Sequence, residues 1–376
     1  MKIFMFANTD WYLFNFRLPL IKRLIELGHE VTVLSPAGLF QSRLRDEGVR
    51  CLTIALERKG QFGKGDITSL YQLLSIYGRE KPDVVHHFTI KAVIYGMIAA
   101  KIARIPFQIN AITGMGYLFT GDQARSSLTR RAAVFCLQKL LSGKNCRTVV
   151  QNQDDQAALL NLGISSTESL SLIPGSGVNL EKFAPSVVQK TGNVKILMAS
   201  RILIDKGVRE YVAAARKILA LRAGVTFFLA GTPDPGNPSA IGIEEIETWG
   251  DTKGFEYLNY VENMKELLDS IDIAVLASYR EGLPRSLLEA SACQLPCVAS
   301  DVPGCHDVVN DGVTGYLIEP KTTGELAVAM EKLIDDPDLR KRMGLAARER
   351  VARLYSEEMV IDKTLEIYQI AQGSKP

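Results

Sequence analysis

Short apolar runs alternate with segments of helical periodicity along almost the whole chain, and the alternation breaks only once. In the first half, apolar runs of strand length fall at 2–8, 30–34, 51–54, 84–87, 106–111, 148–151 and 170–173. Leu, Ile and Ala recur at helical spacing over 17–27, 41–47, 67–79 and 92–103. Strands without polar alternation, separated by helices, belong to parallel sheets buried on both faces. The break covers 174–193, where Gly, Pro, Asn and Ser accumulate. Beyond it the rhythm restarts at Val194, with apolar runs at 194–199, 225–230, 257–260, 272–277, 296–300 and 316–318. An amphipathic segment, 356–370, closes the chain. The chain of 376 residues is too long for one typical core. The expectation is α/β, in two domains: residues 1–180 together with 356–376, and residues 190–355.

Charge is divided unevenly between these halves. The first 185 residues carry 22 Lys and Arg against 14 Asp and Glu, and the remainder carry 22 against 28. The first half therefore suits an anionic partner such as a membrane surface, a phosphorylated acceptor or nucleic acid, although ordinary surface charge reads the same way. The opening apolar stretch is too short for a secretory signal, and no uncharged run has both the length and the apolarity to span a bilayer. A cytoplasmic protein is expected, with any membrane contact peripheral to the inner face. Cys293, Cys297 and Cys305 beside His306 raise the question of zinc, but no paired Cys-x-x-Cys knuckle is present and buried reduced thiols suit the small apolar neighbours better.

No G-x-G-x-x-G follows the first strand, which argues against a dinucleotide dehydrogenase. Residues 9–15 read as a loop bearing Trp11, Tyr12 and Phe14. His86 and His87 close a strand, where α/β proteins place ligands; each reads equally as an acceptor-orienting base or as a hydrogen-bonded structural histidine. His29, after a helix-ending glycine, reads as structural. Thr113 and Gly114 open a glycine-containing loop with exposed aromatics through Phe119. Residues 125–147 form a basic amphipathic segment that suits either an anionic bilayer or a sheet-covering position. The one Asp-x-Asp, Asp336-Pro337-Asp338, begins a helix and reads as a cap rather than a metal site.

In the second half, Arg201 and Lys206 follow the 194–199 strand, where two cations could grip a diphosphate or join surface ion pairs. The stretch 279–292 follows another strand. It holds Glu281 and Gly282, then Leu283 and Pro284 at a helix start, then Ser286, Leu287 and Glu289. Unpaired amides at the helix start suit a diphosphate, a carboxylate one turn in can accept from ribose hydroxyls, and a loop glutamate can meet a second sugar. The bland reading is one loop acid and one solvated helix acid.

Ser200-Arg201 with Lys206-Gly207, Glu281-Gly282-Leu283-Pro284 through Glu289, the turn at 174–178 with Phe183, and Asp311-Gly312 with Gly315 together resemble the retaining glycosyltransferases of family four. The resemblance implies GT-B architecture: two facing Rossmann-like domains with parallel sheets and a C-terminal helix crossing back. It implies catalytic roles for Glu281, Arg201 and Lys206. The donor would be held by Arg201, Lys206, Glu281, Gly282, Leu283, Ser286, Leu287 and Glu289, with the diphosphate on the two cations, the ribose on Glu289 and the transferred sugar on Glu281. The acceptor side would involve Asn15, Arg17, His86, His87, Thr113 and Gly114. Phe16-Arg17-x-Pro19, the 179–185 hinge and the 235–239 loop look most like bacterial enzymes that extend a sugar on undecaprenyl diphosphate. The function so implied is retaining transfer of a hexose or N-acetylhexosamine from a UDP-sugar to a lipid-linked acceptor in surface polysaccharide or glycan assembly. It needs no cofactor and no metal, and has no nucleic-acid partner. A UDP-sugar 2-epimerase of the same fold and a non-catalytic nucleotide-sugar-binding scaffold are the competing readings.

Overall fold

A computed structural model of the chain describes residues 1–56, 64–114, 128–186 and 192–373. Residues 115–119, Arg125 and the linker residues 187–191, together with the side chain of Arg130, lie outside the described residues. Contacts divide the chain into two compact units, Met1–Ser176 with Val360–Pro376, and Gly177–Met359. Residues just after the division join the second unit through backbone bonds. Val178 N donates to Tyr355 O and Glu357 N donates to Val178 O, at 2.9 and 3.0 Å.

The first unit is built on seven strands: β1 (Lys2–Ala7), β2 (Glu30–Ser35), β3 (Arg50–Thr53), β4 (Val84–Phe88), β5 (Phe107–Ile112), β6 (Cys146–Val150) and β7 (Leu170–Leu172). They pair in parallel in the order β3-β2-β1-β4-β5-β6-β7. Burial on both faces explains the continuous apolar runs: every residue of β4 is buried, and only Lys2 of β1 is not.

Two local expectations change. Residues 9–15 are not a loop: Asp10–Tyr12 is helical and Leu13–Arg17 makes a π-helical turn. Thr9 Oγ1 caps the start by accepting from Tyr12 N, and the buried Asp10 carboxylate accepts from the amides of Trp11, Phe40 and Gln41. These bonds, two of them from residues some thirty positions away, outweigh the weak helical propensity of the aromatic residues. The basic segment 125–147 also ends differently. The helix Leu128–Leu140 stops before Gly143, and Cys146 and Arg147 begin β6, with Cys146 buried opposite Gln108.

The second sheet comprises β8 (Val194–Ala199), β9 (Val225–Ala230), β10 (Phe255–Asn259), β11 (Ile273–Leu276), β12 (Cys297–Ser300) and β13 (Gly315–Ile318), again all parallel, in the order β10-β9-β8-β11-β12-β13. In each sheet the order reverses beside the first strand of its unit, between β1 and β4 and between β8 and β11. The connections there leave on opposite faces, which opens a crevice at the carboxyl ends of those strands. Asp336 caps the helix Pro337–Leu354 by accepting from Leu339 N at 2.8 Å. The final helix, Glu357–Gly373, buries Val360, Thr364, Ile367, Tyr368 and Ala371, and from Val360 onward it belongs to the first unit. Among the described residues no helix is long and apolar enough to cross a membrane.

Candidate active site

At the reversal point of the second sheet, β8 runs into Ser200 and Arg201, and a 3-10 turn, Ile204–Lys206, presents Lys206. Gly207 follows with φ +70°, and a Cβ there would stand 1.9 Å from Ala277 O, so glycine alone lets this turn pack on the chain leaving β11. Tyr279 N also donates to Asp205 O at 2.9 Å. The two strand-end loops are thus joined backbone to backbone, which sets Lys206 beside Glu281. Lys206 Nζ lies 2.5 Å from Glu281 Oε1, and Ser278 Oγ donates to the same oxygen at 2.6 Å. Because both bonds land on Oε1, Oε2 is left for a further donor.

The helix Arg285–Ala292 starts at Pro284 without a side-chain cap, so its first amides lack partners within the helix. One turn in, Glu289 Oε1 accepts from Arg285 Nε at 2.7 Å. Burial pushes the Glu289 carboxyl above the usual carboxylate range, against the pull of Arg285 and, more weakly, Lys182. Leu287 puts its side chain into the core, so only its backbone can meet a ligand, and Leu283 packs partly buried on the same core. Ser286 is half-buried. Behind the Glu281 loop, Gly304 has φ +82°, and a Cβ there would come within 2.5 Å of Gly282 O. Arg201 stands further out, half-exposed, with Nη1 3.0 Å from Oδ2 of the buried Asp234. With about half of its side chain in solvent, Arg201 remains open to an incoming anion beside Asp234.

The acceptor-side candidates fall into different environments. His87 is fully buried between Tyr77 Oη at 3.1 Å and Asn110 Oδ1 at 2.8 Å, and burial holds its pKa at about 4 against the opposing Asn110 bond. Both of its ring nitrogens are engaged within the first unit. His86 is buried with Nδ1 2.9 Å from Tyr368 Oη, while its Nε2 has no partner among the described residues. Arg17 is 6% exposed; its guanidinium donates to Tyr12 Oη and Gly175 O and lies over the rings of Tyr12 and Phe88. Asn15 turns back to Trp11 O. Thr113 and Gly114 are half-buried just past β5, Gly114 with φ +136°.

Two family models cover most of the chain: residues 2–146 match glycosyl transferase 4-like proteins and residues 181–350 match glycosyl transferases group 1. Across its length the chain is 27% identical, over 380 residues, to the N,N'-diacetylbacillosaminyl-diphospho-undecaprenol alpha-1,3-N-acetylgalactosaminyltransferase of Campylobacter jejuni, covering 98% of each chain. The chain is a glycosyltransferase. This glycosyltransferase is also 26% identical to the UDP-Gal:alpha-D-GlcNAc-diphosphoundecaprenol alpha-1,3-galactosyltransferase of Escherichia coli, over 81% of its own chain and 79% of that one. Its fold is GT-B, as in Anabaena HepE solved with UDP and glucose, with a TM-score of 0.79 at 20% identity over 98% of this chain and 99% of that one.

Several residues of the glycosyltransferase were missed in its sequence. Asp234, the partner of Arg201, sits in a proline-rich loop, and Ser278 is a lone serine at a strand end; neither carries a spacing signal. The cysteines beside His306 are buried thiols of the second core. Burial raises the Cys297 pKa to about 12, with Ser291 opposing.

Proposed function

We propose that this glycosyltransferase moves a hexose or N-acetylhexosamine from a UDP-sugar to a sugar on a polyprenyl diphosphate, with retention at the anomeric carbon. The observation that carries this reading is the meeting of Lys206, Glu281 and an uncapped helix start at the reversal point of the second sheet, with Arg201 following β8. In this reading the second unit, Gly177–Met359, holds the donor and the first takes the acceptor. Lys206, Arg201 and the amides of 285–287 receive the charge that gathers on departing UDP, because preorganised donors aimed at a leaving group cost no reorganisation during reaction. Glu289 takes the ribose hydroxyls, and Glu281, held by Lys206 and Ser278, takes hydroxyls of the transferred sugar through Oε2. The bond from the anomeric carbon to the phosphate oxygen breaks as the bond to the acceptor hydroxyl forms on the same face, and a donor phosphate oxygen takes the hydroxyl proton. Metal is not required in this scheme, since the protein itself supplies the positive charge.

Names of relatives support the acceptor class: two of them act on diphospho-undecaprenol substrates. The excess of Lys and Arg over the first 185 residues supports peripheral contact with an anionic membrane, each cation near the surface contributing about 1 kcal/mol. The experiment is release of UDP from a panel of UDP-sugars with and without a short prenyl-diphosphate glycan. Replacing Lys206 by Ala lowers kcat about 10²- to 10³-fold, and Arg201→Ala lowers it less. Unchanged turnover in both variants, an inverted product or loss of activity with a chelator would each overturn the scheme.

A further inference from the structure

In the first unit, a small cavity at the carboxyl edge of the sheet is lined by Arg17, His86, Gln151 and Gly175, among others, with room for about one water-sized group. Three of its polar groups are donors in need of an acceptor. Arg17 is 6% exposed, and its guanidinium finds a phenol oxygen, a carbonyl and two ring faces, but no carboxylate among the described residues. It cannot shed its proton, and a buried charge without a counter-charge is costly. His86 is 2% exposed. The Tyr368 hydroxyl has no other partner among the described residues, and in the tautomer in which it donates to His86 Nδ1 the ring proton sits on Nε2. That Nε2 is buried without a hydrogen-bond partner among the described residues. Gln151, just past β6 and half-buried, makes no side-chain hydrogen bond among the described residues. A water here would satisfy hydrogen bonds but leave the charge of Arg17 unmatched. An anionic oxygen satisfies both.

We propose that this cavity receives one phosphoryl oxygen of a diphosphate, held by the Arg17 guanidinium, His86 Nε2–H and the Gln151 carboxamide. Resting on the proposed function, this names the part of the acceptor that the first unit recognises: the diphosphate beside the prenyl chain rather than the sugar. The same chemistry would take free phosphate, and the two sources separate in the test. Burial, reinforced by Arg17 and His87, keeps the His86 pKa well below the usual histidine range, so at neutral pH the ring is a fixed neutral donor.

The experiment titrates the full chain, saturated with UDP to occupy the donor site, with inorganic pyrophosphate, inorganic phosphate and a short prenyl diphosphate. Arg17→Met weakens binding about 10- to 100-fold, as loss of charge-assisted hydrogen bonds does, and Gln151→Leu about threefold to tenfold. Gln151→Leu is the safeguard against misfolding, since it removes no side-chain hydrogen bond among the described residues, and its melting curve should match that of the unaltered protein. Equal loss for pyrophosphate and the prenyl diphosphate assigns the site to the lipid headgroup; loss confined to the inorganic anions assigns it to free phosphate. Unaltered affinity for every probe in both variants overturns the proposal. If instead no acceptor ever releases UDP while these binding losses stand, the transfer reading fails and the anion site survives.

Discussion

Lys206 and Glu281 are each about 15% exposed at the side chain, 15% and 14%, and hold each other at 2.5 Å. Removing one partner leaves the other sparsely solvated and uncompensated, which costs about 3–5 kcal/mol in buried pairs. Lys206→Met should therefore destabilise the second unit by about 3 kcal/mol, and adding Glu281→Gln should recover most of that loss without restoring transfer. Denaturant unfolding of the two single variants and the double variant checks this; an additive double variant would mean that the contact is not coupled. At this scale the sequence was informative about residue types and silent about partners. The seven residues between Glu281 and Glu289 placed both acids near one helix start, but Glu281 is fixed by Lys206 from another strand end, and Glu289 by Arg285. Pairing across strand ends depends on sheet order, which no local spacing carries. His87 illustrates the same limit: beside His86 it looks identical in sequence, yet β-strand alternation sends one ring toward Tyr77 and the other toward Tyr368.

Elements were more legible than residues because their signals are local. Continuous apolar runs mark the thirteen strands found among the described residues to within a few residues, and Pro284 marks the start of the helix behind Glu281. The exception was the helical stretch after β1, where the controlling interaction is Asp10 reaching the amides of Phe40 and Gln41, a contact about thirty residues away in sequence. Close approach of elements rests on glycine. Gly207→Ala drives a Cβ into Ala277 O and also needs a left-handed backbone from alanine. The expected cost is about 3 kcal/mol or more, with a raised KM for the UDP-sugar because Lys206 precedes this turn. Calorimetry and donor titration on the variant test this together. A stable variant with native donor affinity would show that the loop pairing does not position Lys206.

For the molecule as a whole, two units with separate sheets should respond separately to acid. Three of the four histidines lie in the first unit, two of them fully buried. An unfolded histidine takes up its proton near pH 6.5, whereas folded His87 does so only near 4. Between those values the unfolded state binds more protons, so the stability of the first unit is full above about pH 6.5 and declines as pH falls toward 4, by about 3 kcal/mol from His87 alone. His86 acts in the same direction. Scanning calorimetry between pH 7.5 and about 4.5 should show a transition that moves down with acid and is less acid-sensitive in His87→Asn. The last helix carries a further consequence. Tyr368, which secures His86, and the apolar face of 360–371 come from the end of the chain. During translation the first unit is finished in sequence at Ser176 but lacks this covering until some two hundred further residues have been made, a wait of roughly 10–40 s at ordinary elongation rates. For that interval the nascent chain presents an open apolar seat beside the histidine pair, a natural place for a chaperone to hold it.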